Sequence, residues 1–207
     1  LGLTQSWIGL GLLSALLTLV SWRAWPAQAS PTQPASQANQ STPQRTRTVL
    51  RLLSVAYGLN ALALVPHMIF LVDFVARGLG QGIAVGAQYW VLYGLGAIIG
   101  PLLTGHLADR TGFRPALRVA FLIQAIAILL PALNTSPATL IVSSVIVGGF
   151  TPGIVPLVLG RIHELLPHSS ASQRAAWAQA TTSFALFQAI GAYGLSYLFQ
   201  HTAGDYT

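Results

Sequence analysis

Residues 82–114 read GIAVGAQYWVLYGLGAIIGPLLTGHLADRTGFR. The first part, 82–105, contains no Asp, Glu, Lys or Arg. As a helix it is long enough to cross the roughly 30 Å hydrocarbon core of a bilayer, which takes about 20 residues. The second part, 106–114, is short and charged. An uninterrupted apolar run followed by a charged connection is typical of a transmembrane helix and the loop after it.

The same apolar pattern recurs along the chain. Hydrophobic residues make up 53% of the sequence and charged residues only 7%, whereas soluble domains carry roughly a quarter charged residues. A membrane β-barrel would need alternating strands of about ten residues, and the long runs of Leu, Ala and Gly favour helices instead. We therefore predict an all-α, multi-pass transmembrane helical bundle with about six spans, at residues 1–22, 49–72, 82–105, 115–133, 138–160 and 175–199.

The net charge of +6 does not indicate nucleic-acid binding. Basic residues form one patch in nucleic-acid-binding proteins, whereas here every basic residue is Arg and lies at a span end or in a connection. The chain contains no Cys, which excludes disulfides, thiolate metal sites and Cys nucleophiles. We therefore expect no nucleic-acid partner.

The arginines assign an orientation. If every span crosses fully, all arginines except Arg77 fall on one side of the membrane, and the positive-inside rule places that side in the cytoplasm. If one apolar run were a re-entrant segment, the arginines would be divided between the two sides of the membrane. The polar segment 23–48 lies on the same side, and its composition cannot bury enough apolar area to offset chain entropy. It is predicted to be a flexible cytoplasmic central loop.

The charged connection contains a set of residues with readable physical roles. A Gly at position 105 lets another helix approach closely, and Gly112 permits a left-handed turn. Asp109 can pair with Arg110 or face a helix N-terminus. Such a connection can latch two helical bundles together, whereas the simpler alternative is a tight turn with solvated charges.

This connection resembles the loop motif of the major facilitator superfamily, G-x-L-a-D-r-x-G-r-[KR]. The positions that agree are Gly105, Leu107, Asp109, Arg110 and Gly112. Phe113 stands where a basic residue is usual, and Arg114 supplies a charge at the next position. The resemblance implies that Asp109 docks against the other half of the transporter.

Further stretches, 57–60 with Pro66, 160–167 and 174–188, resemble the YbfB/YjiJ-type branch of this superfamily. The superfamily fold has two six-helix halves. The resemblance implies that 1–22 is a transmembrane helix of the N-terminal half, that 23–48 is the central loop, and that 49–207 form an incomplete C-terminal transmembrane bundle.

The implied function is secondary active transport of a small solute by alternating access, with protons as a candidate coupling ion. The expected location is the cell inner membrane. The expected partners are the lipid bilayer, the solute and the missing N-terminal half. We expect a missing half because the chain starts at Leu1 without a Met and ends directly after an apolar run. A non-transporting membrane scaffold or a degenerate transporter repeat is the alternative.

Polar side chains inside apolar spans usually face the bundle interior. The sequence offers Gln88, Tyr89 and Gln124 together with three residues nearest the centres of their spans, Asn60, His67 and Gln188. The last three are candidates for the substrate cavity or for proton coupling. The alternative is hydrogen bonding between helices, which for His67 includes a structural role beside Pro66.

Two further sets are candidates for motion. Asp73 and Arg77 lie four residues apart on one helix face, where an interfacial ion pair is the default and a gate contact the alternative. The second set consists of helix-breaking residues within one span: Gly149, Pro152, Gly153 and Pro156. We predict that they form a hinge, and close packing between helices is the simpler alternative.

Enzyme motifs are not present in the sequence. His163, Glu164 and His168 miss the metalloprotease spacing by one residue, and Pro167 interrupts the helix between the two histidines. The glycines of 94–100 miss the dinucleotide-binding spacing and follow no strand. We therefore expect no enzymatic activity, no metal and no cofactor.

Overall fold

The structure, a computed structural model, describes residues 3–21 and 43–202. All secondary structure within these ranges is helical, which confirms the predicted fold class. The chain forms two compact units, Leu1–Gln37 and Ala38–Thr207. The predicted loop 23–48 lies outside the described residues as far as residue 42.

The first unit contains helix α1, Leu3–Ser21. Its described side chains are mostly apolar and, except for half-buried Ser21, exposed, as Leu19 at 73% and Val20 at 75% illustrate. A helix that is apolar all round is suited to a lipid environment. Within the described residues its apolar stretch, Ile8–Ser21, is shorter than the other candidate spans.

The second unit opens with helix α2, Gln44–Val65. The helix continues through a first π segment, Pro66–Phe70, the short α3, Leu71–Asp73, and a second π segment, Phe74–Gly78. Proline lacks the backbone donor of a regular helix, and a wider π turn accommodates the missing hydrogen bond.

Helix α2 therefore begins inside the predicted loop 23–48 and not at residue 49. Its first turns contain exposed Arg45 and Arg47. Hydropathy marks only the part of a helix that lies in lipid, whereas backbone hydrogen bonds continue the helix beyond it.

Four long helices complete the unit: α4, Ile83–Thr111; α5, Phe113–Leu133; α6, Pro137–Leu165; and α7, Ser170–His201. Helix α4 packs against α6, α2 against α7, and α5 against α6. Each helix is longer than the apolar run that predicted it. As a consequence the charged motif lies mainly on the last turns of α4, and the connection to α5 is Gly112 alone.

By length and composition, four described helical stretches can cross a membrane: Gln44–Gly78, Ile83–Thr111, Phe113–Leu133 and Pro137–Leu165. The two other predicted spans correspond to α1 and α7. Helix α7 has 32 residues, enough to cross, but its Gln, Ser and Thr residues lower its hydropathy. The chain is a multi-pass membrane protein.

Two buried clusters define the two ends of the second unit. Tyr57, Ala108, Ala116, Ile162 and Ala176 belong to one cluster. The start of α2, the α4–α5 connection and the α6–α7 connection therefore lie at the same end. The opposite end is marked by the cluster of Leu71, Val75, Tyr89 and Leu140.

We call the end that is marked by the cluster of Tyr57, Ala108 and Ile162 the arginine-rich end. Among the described arginines only Arg77 lies at the other end. The members of the arginine-rich end are Arg45, Arg47, Arg51, Arg110, Arg114, Arg118, Arg161 and Arg174.

Candidate functional site

The charged motif is shaped by one glycine. Gly112 follows the last residue of α4 with φ 82°, and its N–H donates to Ala108 O at 2.7 Å. Only glycine adopts this conformation without steric penalty. Helix α5 begins at the next residue, so that Asp109 and Arg114 flank a very tight turn.

The charges of the motif are not satisfied inside the described part of the chain. Asp109, Arg110 and Arg114 are exposed, and none of them makes a hydrogen bond or ion pair with a described residue. The space beside Gly105 is also open, because a Cβ built there meets nothing within 4 Å. The prediction that this face of α4 docks against another helix stays a prediction.

Phe113, where the motif departs from its usual pattern, has a packing partner. A Cβ built on Gly160 of α6 lies 2.1 Å from the Phe113 ring, so that only glycine leaves room for the ring. The aromatic ring thus lies against α6 at the arginine-rich end. The sequence marked Phe113 only as a departure from the motif and did not suggest its contact with Gly160.

Asn60 and Gln124 meet inside the bundle. Asn60 Nδ2 donates to Gln124 Oε1 at 2.7 Å, joining α2 to α5. Gln124 is fully buried, and its Nε2 has no hydrogen-bond partner among the described residues. Asn60 itself is only half-buried.

His67 lies deeper, in the first π segment, at 4% exposure. Its Nε2 lies 2.7 Å from Ser143 Oγ, and Ser143 donates its single hydroxyl hydrogen to Ala127 O at 2.6 Å. His67 Nε2 is therefore the donor in the first contact, and Nδ1 of the neutral ring carries the lone pair. That nitrogen is buried without a described partner. The contact supports the structural alternative for His67.

The three central polar candidates do not converge on one point. Gln188 Nε2 lies 3.4 Å from Met68 Sδ, a weak contact between α7 and the first π segment. Among the described residues no hydrogen bond joins Asn60, His67 and Gln188 to one another. Asn60 connects α2 to α5, His67 connects the first π segment to α6, and Gln188 connects α7 to the first π segment.

A polar contact that the sequence did not suggest joins α4 to α6. The Tyr93 and Thr151 hydroxyls are 2.7 Å apart, and Trp90, 41% exposed, stacks on Tyr93 at 4.8 Å between ring centroids. Of the other predicted polar candidates on α4, Tyr89 is buried and Gln88 is exposed. The sequence signal was the spacing of aromatic residues along α4.

Asp73 and Arg77 form an ion pair at the end opposite the arginine-rich end. Arg77 lies in the second π segment and is largely exposed. Such a pair contributes little stability in water, and a gate role for it stays a prediction.

The residues of the predicted hinge lie in a continuous helix. Helix α6 runs through Pro152 and Pro156 without interruption. Its glycines pack closely against α4, because a Cβ built on Gly100 would lie 1.8 Å from Gly149 O. Thr104 Oγ1 also donates to Gly153 O at 2.8 Å, a further close contact between α4 and α6. These contacts support the close-packing alternative, and the hinge stays a prediction.

Comparison with known proteins identifies a family. The family described as "Uncharacterised MFS-type transporter YbfB" matches residues 1–207. No curated protein and no solved structure matches.

Proposed function

Because the chain belongs to the YbfB-type family of major facilitator superfamily transporters, we propose that it moves a small solute by secondary active transport with alternating access. In transporters built from repeats, the substrate site lies near the bilayer midplane and the halves rock around it. In this proposal the second unit forms part of one such half, and the N-terminal half contributes the opposite wall of the cavity.

The proposal depends most on Asp109. Its carboxylate is exposed at the arginine-rich end and has no described partner. A charge that stays unpaired within its own half is available to pair with the other half. If that contact exists in only one of the two conformations, it biases the equilibrium between them.

For the cavity we propose Asn60 and Gln188, whose half-buried side chains keep some exposed surface. His67 is the weaker candidate for solute contact or proton coupling, because its ring is buried and forms a hydrogen bond with Ser143. We further propose that the arginine-rich end faces the cytoplasm and that the membrane is the cell inner membrane.

Cysteine labelling tests the proposal, because these 207 residues contain no Cys that would react in the background, and any Cys in the rest of the full-length protein would be replaced first. Asn60→Cys and Gln188→Cys in the full-length protein would be treated with a membrane-impermeant maleimide in right-side-out and inside-out vesicles. We expect labelling from both sides, and a several-fold change in the ratio of the two rates when Asp109→Asn is added.

Thr111→Cys is the control, since a residue of the exposed turn should react from one side only. Labelling of Asn60→Cys and Gln188→Cys from a single side, unchanged by Asp109→Asn, would contradict alternating access and favour a non-transporting scaffold.

A further inference from the structure

A small cavity lies between the end of α6 and the start of α7. Its volume is about 140 Å³, and it is lined by Leu159, His163, Ser170, Gln173, Arg174 and Trp177. One water needs only about 10–15 Å³ of such space, so the cavity has room for a group larger than a few waters. None of the residues that line it belongs to the proposed transport machinery.

Among the residues that line the cavity, Arg174 is the one with a permanent charge. The side chain is exposed and makes no hydrogen bond or ion pair with any described residue. His163, also exposed, adds a ring with a nitrogen donor and is likewise without a described partner. The neighbouring acid, Glu164, accepts a hydrogen bond from Arg161 Nη1 at 2.7 Å and is thereby engaged elsewhere.

The cavity is held in shape by the residues beneath it. Gln173 Nε2 donates to Leu166 O at 2.7 Å, which ties the first turns of α7 to the end of α6. Trp177 stacks with Tyr57, with 6.4 Å between ring centroids, and packs against the buried cluster of the arginine-rich end. The site therefore does not depend on a mobile loop.

The position of the cavity in the bundle indicates the kind of ligand that it binds. The cavity lies at the ends of two helices, at the arginine-rich end, where a bilayer places its headgroups. Basic pockets between membrane helices on the cytoplasmic side bind phosphorylated headgroups. A guanidinium can hold two phosphate oxygens at once, while Trp177 and Leu159 offer apolar surface to the glycerol and the first acyl carbons.

We propose that this cavity binds the phosphate of an anionic phospholipid headgroup, with Arg174 as the main contact and His163 as the second. The bound lipid joins α6 to α7 at the membrane surface. A free phosphate would offer the same oxygens to Arg174 but would leave the apolar side of the cavity uncovered.

Native mass spectrometry of the full-length purified protein tests the site, with phosphatidylglycerol titrated into neutral detergent micelles. We expect saturable binding to the wild type and an apparent affinity about tenfold lower for Arg174→Gln, which is a loss of about 1.4 kcal/mol of binding free energy. The affinity of Arg174→Lys should lie between those of the wild type and Arg174→Gln. His163→Gln should lose less affinity than Arg174→Gln.

Arg118→Gln is the matched control, because it removes the same charge from an exposed position at the same end. An equal loss of lipid affinity in Arg118→Gln and Arg174→Gln would mean that the positive charge of the whole end attracts the lipid and that no single site binds it. That result would overturn the proposal. Inorganic phosphate that displaces the lipid at equal concentration would also overturn it, as would phosphatidylcholine binding with the same affinity. A melting temperature unchanged by Arg174→Gln in neutral detergent would verify that the variant folds.

Discussion

His67 Nε2 donates a hydrogen bond to Ser143 Oγ at 2.7 Å across the interior of the second unit. Ser143 then donates to Ala127 O, so that this chain of contacts joins the first π segment to α6 and α5. Both side chains are almost completely buried. Removing one partner therefore leaves a polar group without water to replace it.

Ser143→Ala should lower the free energy of unfolding by about 1–3 kcal/mol, because the His67 Nε2–H loses its acceptor in a buried position. Thermal unfolding of the purified protein in one detergent measures the change.

Ser144→Ala provides the comparison. Ser144 is equally buried, but its hydroxyl has no hydrogen-bond partner among the described residues. The same substitution there should be nearly neutral. Equal destabilisation by the two changes would show that the His67 contact does not stabilise the unit.

Gly100→Ala should destabilise the α4–α6 interface. A Cβ at this position would lie 1.8 Å from Gly149 O, a backbone atom that cannot move away without shifting the helix. Overpacking of this kind costs about 1–3 kcal/mol or more, and lower expression together with a lower melting temperature would report it.

Gly94→Ala, on the same helix, separates packing from helix propensity. Nothing lies within 4 Å of a Cβ built there, and replacing a mid-helix Gly by Ala is worth roughly 0.5–1 kcal/mol of stabilisation. A loss of stability in Gly94→Ala as large as that in Gly100→Ala would argue against the close approach of α4 and α6.

Gly160→Ala should be destabilising only while Phe113 is present. The added methyl group would overlap the ring, so Phe113→Ala in the same chain should relieve the clash. We expect the two free-energy changes to be non-additive by about 0.5–3 kcal/mol, measured by a double-mutant cycle. Strict additivity would mean that the two residues do not touch.

The two ends of the second unit should be reached from opposite sides of the membrane. Gln81, two residues before α4, and Thr111, the last residue of α4, are both exposed and lie on either side of this helix. An impermeant maleimide added to intact cells should label Gln81→Cys at once and Thr111→Cys only after permeabilisation. Labelling of both from outside would mean that α4 does not cross the bilayer.

The sequence alone determined the fold class and the approximate positions of the helices, although not their ends. The bilayer imposes a local requirement: a helical segment in lipid must be apolar for about 20 residues, and its arginines favour one side. Both requirements act on each stretch of chain separately. Residues 82–105 therefore predicted α4 without knowledge of its neighbours, and the motif around Asp109 could be read from its spacing.

Only the tertiary structure decided which faces meet. In lipid the hydrophobic effect does not distinguish one apolar face from another, so helix pairing depends on close packing and on individual hydrogen bonds. The sequence offered His67 as a polar residue but not Ser143 as its acceptor. It likewise showed Phe113 as a departure from a motif but not Gly160 beneath the ring, because each of these contacts joins helices whose approach is settled by shape.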